Sequence, residues 1–334
     1  MLQTVIWRTL RQFTIAFVVV LTILLIAAHQ INSIIFSPQR RTLYDYHLQR
    51  INSPAEYGLA VRSHACLDGK VPCLLVEPDA AAGPSYEGRE LRGQLTAKGV
   101  ALPAYGQVWG TVFLLHGRNG RKEHLLPVAE RLVAVGLRSI IVDLPAHGQS
   151  PIKATSFGQG DFERTLPKRV LQEMRVHFDV PDEPTIVWGT SMGGAFALSA
   201  ASETDSGFDG AVILSSFASL DEVLEAQIPS RWAFVYPYVA PLLDLERLLA
   251  NKPRPSQMQP ERDAQKVTIP TVVVHGESDY YVRPEQGRRL YSALQSQQKH
   301  WVTVPYGRHR NVLSRSTKHY AEVTEWLIRA LVKS

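Results

Sequence analysis

The chain has 334 residues, 45% of them hydrophobic and 20% charged, with a formal net charge of +5. That balance fits a globular domain carrying one apolar segment, and it excludes a disordered or low-complexity chain. The arginines are spread along the sequence rather than massed with aromatic residues, so the mild positive charge points to an anionic membrane surface and not to a nucleic acid.

From Phe13 to Phe36 there is no Asp, Glu, Lys or Arg, and Arg8 and Arg11 precede this stretch. A helix of that length spans a hydrocarbon core of roughly 30 Å. Residues 1–36 are therefore expected to form an uncleaved, single-pass signal anchor. Cleavage after Ala28 is the alternative, but Ile26-Ala27-Ala28 is a poor small-x-small site and Ile34-Ile35-Phe36 prolongs the apolar run. Arg40 and Arg41 balance Arg8 and Arg11, so the positive-inside rule decides little here. A large domain after a short N-terminal tail favours export, with the domain on the extracytoplasmic side (periplasmic in a bacterium). Residues 37–58 are expected to be a linker or packing arm, and 59–334 the main domain.

Strands are expected near 59–65 and 72–76. Between them, Cys66 and Cys73 flank Asp68-Gly69-Lys70-Val71, which reads as a two-residue hairpin with Gly69 at a position needing positive φ. Counting outward pairs 68 with 71, 67 with 72 and 66 with 73. Two cysteines placed opposite each other across one hairpin suggest a disulfide and an oxidising compartment. Residues 84–106, rich in Gly and Pro, have no clear assignment.

Further strands are expected near 108–115, 138–143, 185–189, 210–215, 271–275 and 300–304. Helical patterns cover about 122–135, 161–177, 192–203, 284–296 and 317–332. This alternation implies an α/β fold: a mostly parallel sheet with an antiparallel start, covered by helices on both faces. Residues 220–262 read as a small helical lid, with Pro237 and Pro241 breaking its second helix. Its aromatic residues Trp232, Phe234 and Tyr236 are either lid core or the wall of an acyl pocket.

The chemistry concentrates at the ends of these strands. Gly189-Thr190-Ser191-Met192-Gly193 stands between the run Thr185–Trp188 and an alanine-rich helix. Its two glycines permit a tight turn that lifts the Ser191 hydroxyl above the sheet edge. Met192 then opens the helix with its N–H free to stabilise an oxyanion. A carboxylate, Asp279, follows the strand 271–275, and His309 follows the strand 300–304. Serine, acid, histidine is the order such a site needs, with His309 as base and Asp279 holding its tautomer. Asp221 competes for the acid role because it follows the strand 211–214. His116, after the strand 112–115, reads as a structural hydrogen-bonding residue. The loop it opens is where a second oxyanion donor belongs, and the backbone N–H of Arg118 fills that position.

These motifs resemble the serine α/β-hydrolase superfamily. The resemblance rests on His116-Gly117-x-x-Gly120, Asp143-Leu144-Pro145-Ala146-His147-Gly148-Gln149-Ser150, the Ser191 turn, Ser215–Leu220, His275-Gly276-x-x-Asp279 and Gly307-x-His309-x-Asn311. It is nearest to membrane-associated acyl hydrolases, among them lysophospholipid lipases and protein depalmitoylases. It implies a serine hydrolase cleaving a carboxylic ester or thioester through an acyl-enzyme, on a small-molecule or lipid acyl substrate. The apolar lid leads to the expectation that uncharged, medium-chain acyl groups are preferred. An aminopeptidase or acyltransferase would use the same residues, and a binding protein on a retired hydrolase fold is the alternative of a different class. No cofactor is expected, since the chain has neither a P-loop nor a dinucleotide fingerprint. No metal site is expected either, because the histidines lack ligand spacing and Cys66 with Cys73 has no second pair.

Overall fold

The computed structural model describes residues 2–38, 41–313 and 317–331. In chain order the helices and strands begin with α1 (Leu2–Phe36), α2 (Asp45–Asn52), β1 (Leu59–Cys66), β2 (Val71–Pro78), α3 (Tyr86–Ala97) and β3 (Gly110–Leu115). They continue with α4 (Leu126–Ala134), β4 (Leu137–Val142), α5 (Asp161–Phe178), β5 (Thr185–Thr190), α6 (Met192–Ala201) and β6 (Gly210–Leu214). After the lid helices α7 (Leu220–Ala226) and α8 (Tyr236–Leu249) come α9 (Pro260–Ala264), β7 (Thr271–Gly276), α10 (Pro284–Ala293), β8 (Lys299–Val304) and α11 (Thr317–Leu331).

Among the described residues the strands form one sheet in the order β1-β2-β4-β3-β5-β6-β7-β8. β2 pairs antiparallel with both β1 and β4, and every later pairing is parallel. β3 to β7 are buried along almost their whole length, which is why they read as unbroken apolar runs instead of alternating ones. One apolar layer lies on each face. Phe113, Val187, Ile213 and Val273 belong to one layer, and Val112, Ile186, Val212 and Val272 to the other. Because the strands are parallel, the residues that follow β3, β4, β5, β7 and β8 gather at a single edge. This is the α/β-hydrolase architecture.

Three expectations needed correction. The hairpin register differs from the count: Cys66 lies opposite Val71, and Cys73 opposite His64. Leu67, Asp68 and Gly69 all take positive φ, and the Glu173 carboxylate holds the Leu67 N–H at 2.8 Å, drawing residue 67 out of the ladder. Cys66 and Cys73 are thus diagonal neighbours, yet they stand in disulfide-forming geometry with Cα atoms 6.1 Å apart. The unassigned insertion contains α3. Ser85 caps it through the Gly88 N–H at 3.1 Å, and its buried Leu91 and Leu95, one turn apart, join the cluster that holds Leu132 and Leu327. In the lid, α8 runs through both prolines. Pro237 occupies the first turn, where its missing N–H has no helical partner to lose, and Pro241 removes only an early bond.

Helix α1 is long and apolar enough over Ile6–Phe36 to cross a membrane. From Ile6 to Ile26 its side chains are almost all exposed, after which one face turns inward. Ala28 packs on Val239 and Leu243 of the lid helix α8, and the buried Asn32 donates to Leu243 O at 3.1 Å and to Glu246 at 2.8 Å. Phe36 is buried edge-to-face against Phe157, with the Arg247 guanidinium 3.8 Å above its ring.

Closing so short a cysteine loop contributes less than the roughly 3 kcal/mol that chain entropy assigns to a loop of about 15 residues. Protein isolated under thiol-blocking conditions is expected to show Cys66 and Cys73 joined and unalkylated by mass spectrometry. Two alkylated cysteines would overturn that expectation.

Candidate active site

The turn after β5 is built on backbone strain. Ser191 adopts φ 54° and ψ −116°, a region that side chains disfavour and that costs on the order of 1–3 kcal/mol. The surroundings hold it there. Ser191 N donates to Leu214 O at 2.8 Å, and the Ser216 hydroxyl donates to Ser191 O at 2.9 Å. A Cβ on Gly189 would come within 2.0 Å of Gly193 O, and one on Gly193 within 2.2 Å of Leu115 O, so neither position admits a side chain. β5 and α6 therefore close on each other at the point where the hydroxyl emerges.

The Ser191 Oγ is 3.0 Å from His309 Nε2, and His309 Nδ1 is 2.8 Å from Asp279 Oδ2. Since a carboxylate faces Nδ1, that nitrogen carries the proton and Nε2 is left to accept from the serine. Asp279 is 1% exposed and accepts two backbone bonds on its other oxygen, from Tyr281 N at 3.1 Å and Val282 N at 2.9 Å. Burial pushes its pKa up. Hydrogen bonds from His275 and His309, the imidazole charge and the Val282 amide outweigh that, so the carboxyl stays well below the usual carboxylate range. His275 Nε2 lies 2.9 Å from Val282 O and 3.4 Å from Asp279 Oδ2. Both neighbours are acceptors, so this nitrogen donates and braces the turn. The two loops meet because Gly276 has no side chain: a Cβ there would sit 2.4 Å from Gly307 O. Ser278 N donates to that same Gly307 carbonyl at 2.9 Å.

The loop after β3 runs beside the nucleophile. A Cβ on Gly117 would stand 3.2 Å from Thr190 O and 3.5 Å from the Ser191 side chain. This loop is clamped to the one after β4. His116 Nε2 accepts from Leu144 N at 3.1 Å, and burial holds the ring neutral, with its pKa lowered to about 4. Asp143 takes the Lys122 N–H at 2.8 Å, the Lys122 ammonium at 3.0 Å and the Gln149 N–H at 2.8 Å. Arg118 thus lies on a fixed loop and lines the same cavity as Ser191, and the Met192 N–H is the first of α6, unspent within the helix. A hydroxyl bonded to an imidazole that a carboxylate orients is an arrangement suited to acyl transfer.

A cleft of about 750 Å³ opens over these groups. Its apolar lining includes Trp188, Leu214, Val312 and Leu313, and its polar lining includes Arg41, Arg50, Arg118, Arg131 and Arg310. No Asp or Glu is among the described residues that line it. Tyr281 packs its ring 4.9 Å from the His309 ring, and the Arg118 guanidinium donates to the Tyr281 hydroxyl at 3.1 Å. The expected acyl-pocket residues are not in this cleft. Trp232 and Phe234 are 52% and 66% exposed on the lid, and Tyr236 is buried with its hydroxyl on Asp221. That pocket assignment is corrected accordingly. The lid segment turns Trp232 and Phe234 outward and commits Asp221 to the buried Tyr236, while the walls beside Ser191 come from strand ends and the segment after His309. Arg41, Arg310 and Tyr281 were not singled out by motif reasoning, because residues distant in sequence converge there. Only Arg310, adjacent to His309, carried a local signal.

Among the described residues, one group has metal-ligating side chains close together: His64, Cys66 and Glu173. It lies on β1 and α5, away from the cleft. Glu173 is engaged by His64 at 2.8 Å and by Leu67 N at 2.8 Å, and the Cys66 sulfur faces Cys73.

In fold the chain is similar to an esterase of Pyrococcus furiosus (19% identity, TM-score 0.59, covering 89% of this chain and 97% of that one). It is likewise similar to a putative lipase of Acinetobacter baumannii (15% identity, TM-score 0.54, covering 89% and 99%). A puromycin-hydrolyzing peptidase of Mycobacterium tuberculosis also shares the fold (18% identity, TM-score 0.57), with 83% of this chain matching 41% of that longer one. The family model described as serine aminopeptidase, S33, matches residues 106–261 and 254–313, which is more than half of the sequence. The chain therefore belongs to the S33 serine aminopeptidase family and is a serine hydrolase of the α/β-hydrolase superfamily.

Proposed function

We propose that the protein is a membrane-anchored serine hydrolase that cleaves a carboxylic ester or thioester through an acyl-enzyme. The observation that carries this reading is the hydrogen-bonded line Ser191–His309–Asp279 on a strained turn at the end of β5. Ser191 Oγ attacks the acyl carbon while His309 Nε2 takes its proton, and Asp279 stabilises the resulting imidazolium. The Met192 and Arg118 amides hold the oxyanion. As the tetrahedral intermediate collapses, the bond to the leaving group breaks and His309 returns the proton to it. Water then attacks the acyl-Ser191 ester, giving up its proton to His309, and the acid leaves with Ser191 restored.

The family description raises an aminopeptidase as the competing reading. An aminopeptidase must hold a protonated α-amine, which calls for a nearby carboxylate. The described lining of this cleft has arginines and no Asp or Glu, and Asp279 is committed to His309, His275 and two amides. The charge balance therefore favours esters over free-amino peptides.

The membrane part of the reading rests on α1. The exposed portion Ile6–Ile26 would be about 30 Å long at ~1.5 Å per residue, which matches a hydrocarbon core. The following turns dock on the lid, so such an anchor would hold the cleft close to the bilayer. A disulfide-capable cysteine pair supports an extracytoplasmic domain.

A fluorophosphonate probe is expected to label the detergent-solubilised protein at Ser191 and nowhere else, and Ser191→Ala is expected to abolish labelling without lowering Tm by more than a few degrees. Labelling that persists in the variant would sink the assignment. Asp279→Asn is expected to cut kcat on the order of 10³–10⁴-fold, as loss of the acid does in other Ser-His-Asp sites, while Asp221→Asn changes it little. The reverse pattern would move the acid to the lid. Matched p-nitrophenyl esters and aminoacyl p-nitroanilides separate the two substrate readings: esters are expected to turn over faster, and the opposite order would favour the aminopeptidase.

A further inference from the structure

Among the five arginines that line the cleft, two are matched by carboxylates. Arg50 bonds Glu130 at 2.6 Å, and Arg131 bonds Glu87 at 2.8 Å while its guanidinium lies over the Tyr320 ring. Arg41, Arg118 and Arg310 have no carboxylate within ion-pair distance among the described residues. Arg118 makes only neutral contacts, with Tyr281 Oη at 3.1 Å and Ile34 O at 3.4 Å. The three come from separate parts of the chain, namely the segment after α1, the loop after β3 and the residue next to His309, and they line one cavity with Ser191. Their mutual repulsion is felt at Arg41, whose pKa is lowered by burial and then by the charges of Arg310 and Arg118. The two histidines lining the same wall, His47 and His124, are held towards the neutral form, chiefly by burial. In that form they relieve none of the positive charge.

Gathering like charges beside a nucleophile with no internal counter-ion is unfavourable in the empty protein and is reversed by an anionic ligand. A guanidinium matches carboxylate and phosphate oxygens through paired N–H donors. We propose that Arg41, Arg118 and Arg310 form an anion subsite, so that the substrate is an ester carrying a phosphate or carboxylate a short distance from the scissile carbonyl. This deepens the serine-hydrolase reading and rests on it. It also replaces the expectation of a preference for uncharged substrates, which came from lid residues that lie outside the cleft. The lining side chains Leu125, Val128, Leu214, Val312 and Leu313 take the apolar part of the same molecule. The subsite acts on binding and orientation, so its signature is in KM more than in kcat.

The test uses the full-length protein in a neutral glycoside detergent with two matched substrate pairs. One pair is p-nitrophenyl hexanoate and the same ester with a terminal carboxylate, together with a terminal-ammonium control. The other is monodecanoylglycerol and its phosphate, which places the charge on the leaving group of a lipid. At least one anionic partner is expected to exceed its neutral counterpart by about tenfold or more in kcat/KM, and the ammonium ester to be the poorest. The pair that shows the effect says whether the anion belongs to a soluble acyl arm or to a lipid headgroup. In the Arg41→Gln, Arg310→Gln double variant this preference is expected to fall towards one through a rise in KM, and Arg41→Lys with Arg310→Lys to restore part of it. Neutral esters cleaved as fast as both anionic ones, with Ser191 labelled by the fluorophosphonate, would overturn the subsite and leave the hydrolase reading standing. Absence of both turnover and labelling would overturn the hydrolase reading instead. The subsite would then be judged by dodecyl phosphate binding to the same protein, and binding unchanged in the double variant would overturn it.

Discussion

Ser191 sits at φ 54° because the end of β5 and the start of α6 leave the chain no other path, and much of the site geometry follows from that constraint. The strain is tolerated because it is over-determined: the Ser191 N–H and carbonyl are both bonded to the β6 end, and Gly193 presses against the β3 carbonyls. A relaxed serine at this position would draw its hydroxyl back towards the sheet, away from His309. The same close packing brings the β3 loop, with Gly117 and Arg118, alongside the nucleophile. One strained residue thus sets both the hydroxyl and the surroundings of the two amides proposed to serve it.

Around this fixed centre the polar groups divide into those that are satisfied and those that are not. Asp279, Asp143 and His116 are buried, and their partners lie at hydrogen-bonding distance, so they act as rigid braces. The arginines lining the cleft differ: Arg50 and Arg131 are neutralised by glutamates, whereas Arg41, Arg118 and Arg310 have no such partner among the described residues.

Helix α1 joins these features to its own role. From Ile6 to Ile26 it exposes apolar side chains on nearly all sides, and its last turns are part of the domain, with Asn32 bonded into α8 and Phe36 buried beneath Arg247. The Ile34 carbonyl reaches the Arg118 guanidinium, which also holds Tyr281 over His309. The helix is therefore in direct contact with the lid segment and two side chains, Arg118 and Tyr281, from the candidate catalytic histidine. A displacement of α1 would be felt at both.

Local sequence carried the elements whose signals are short-range. The runs that became β3 to β7 are apolar because both faces of a parallel sheet are covered, and Gly189-x-Ser191-x-Gly193 announced its turn because no Cβ fits there. Asp279 and His309 were readable from their places just after strands, since parallel strands deliver such residues to one edge whatever the details between them. What escaped depended on contacts between distant segments. The hairpin register slipped because Glu173, on α5, captures the Leu67 amide. Helix α3 was hidden by its glycines and stabilised by leucines packing into a cluster built from α4 and α11. The aromatic run Trp232, Phe234, Tyr236 left lid core and pocket wall both open, because which way such a segment turns is settled by the surface it packs against, here α1 and Asp221. The cationic cleft had no motif at all, because Arg41, Arg118 and Arg310 become neighbours only when three separate parts of the chain have folded to the same edge.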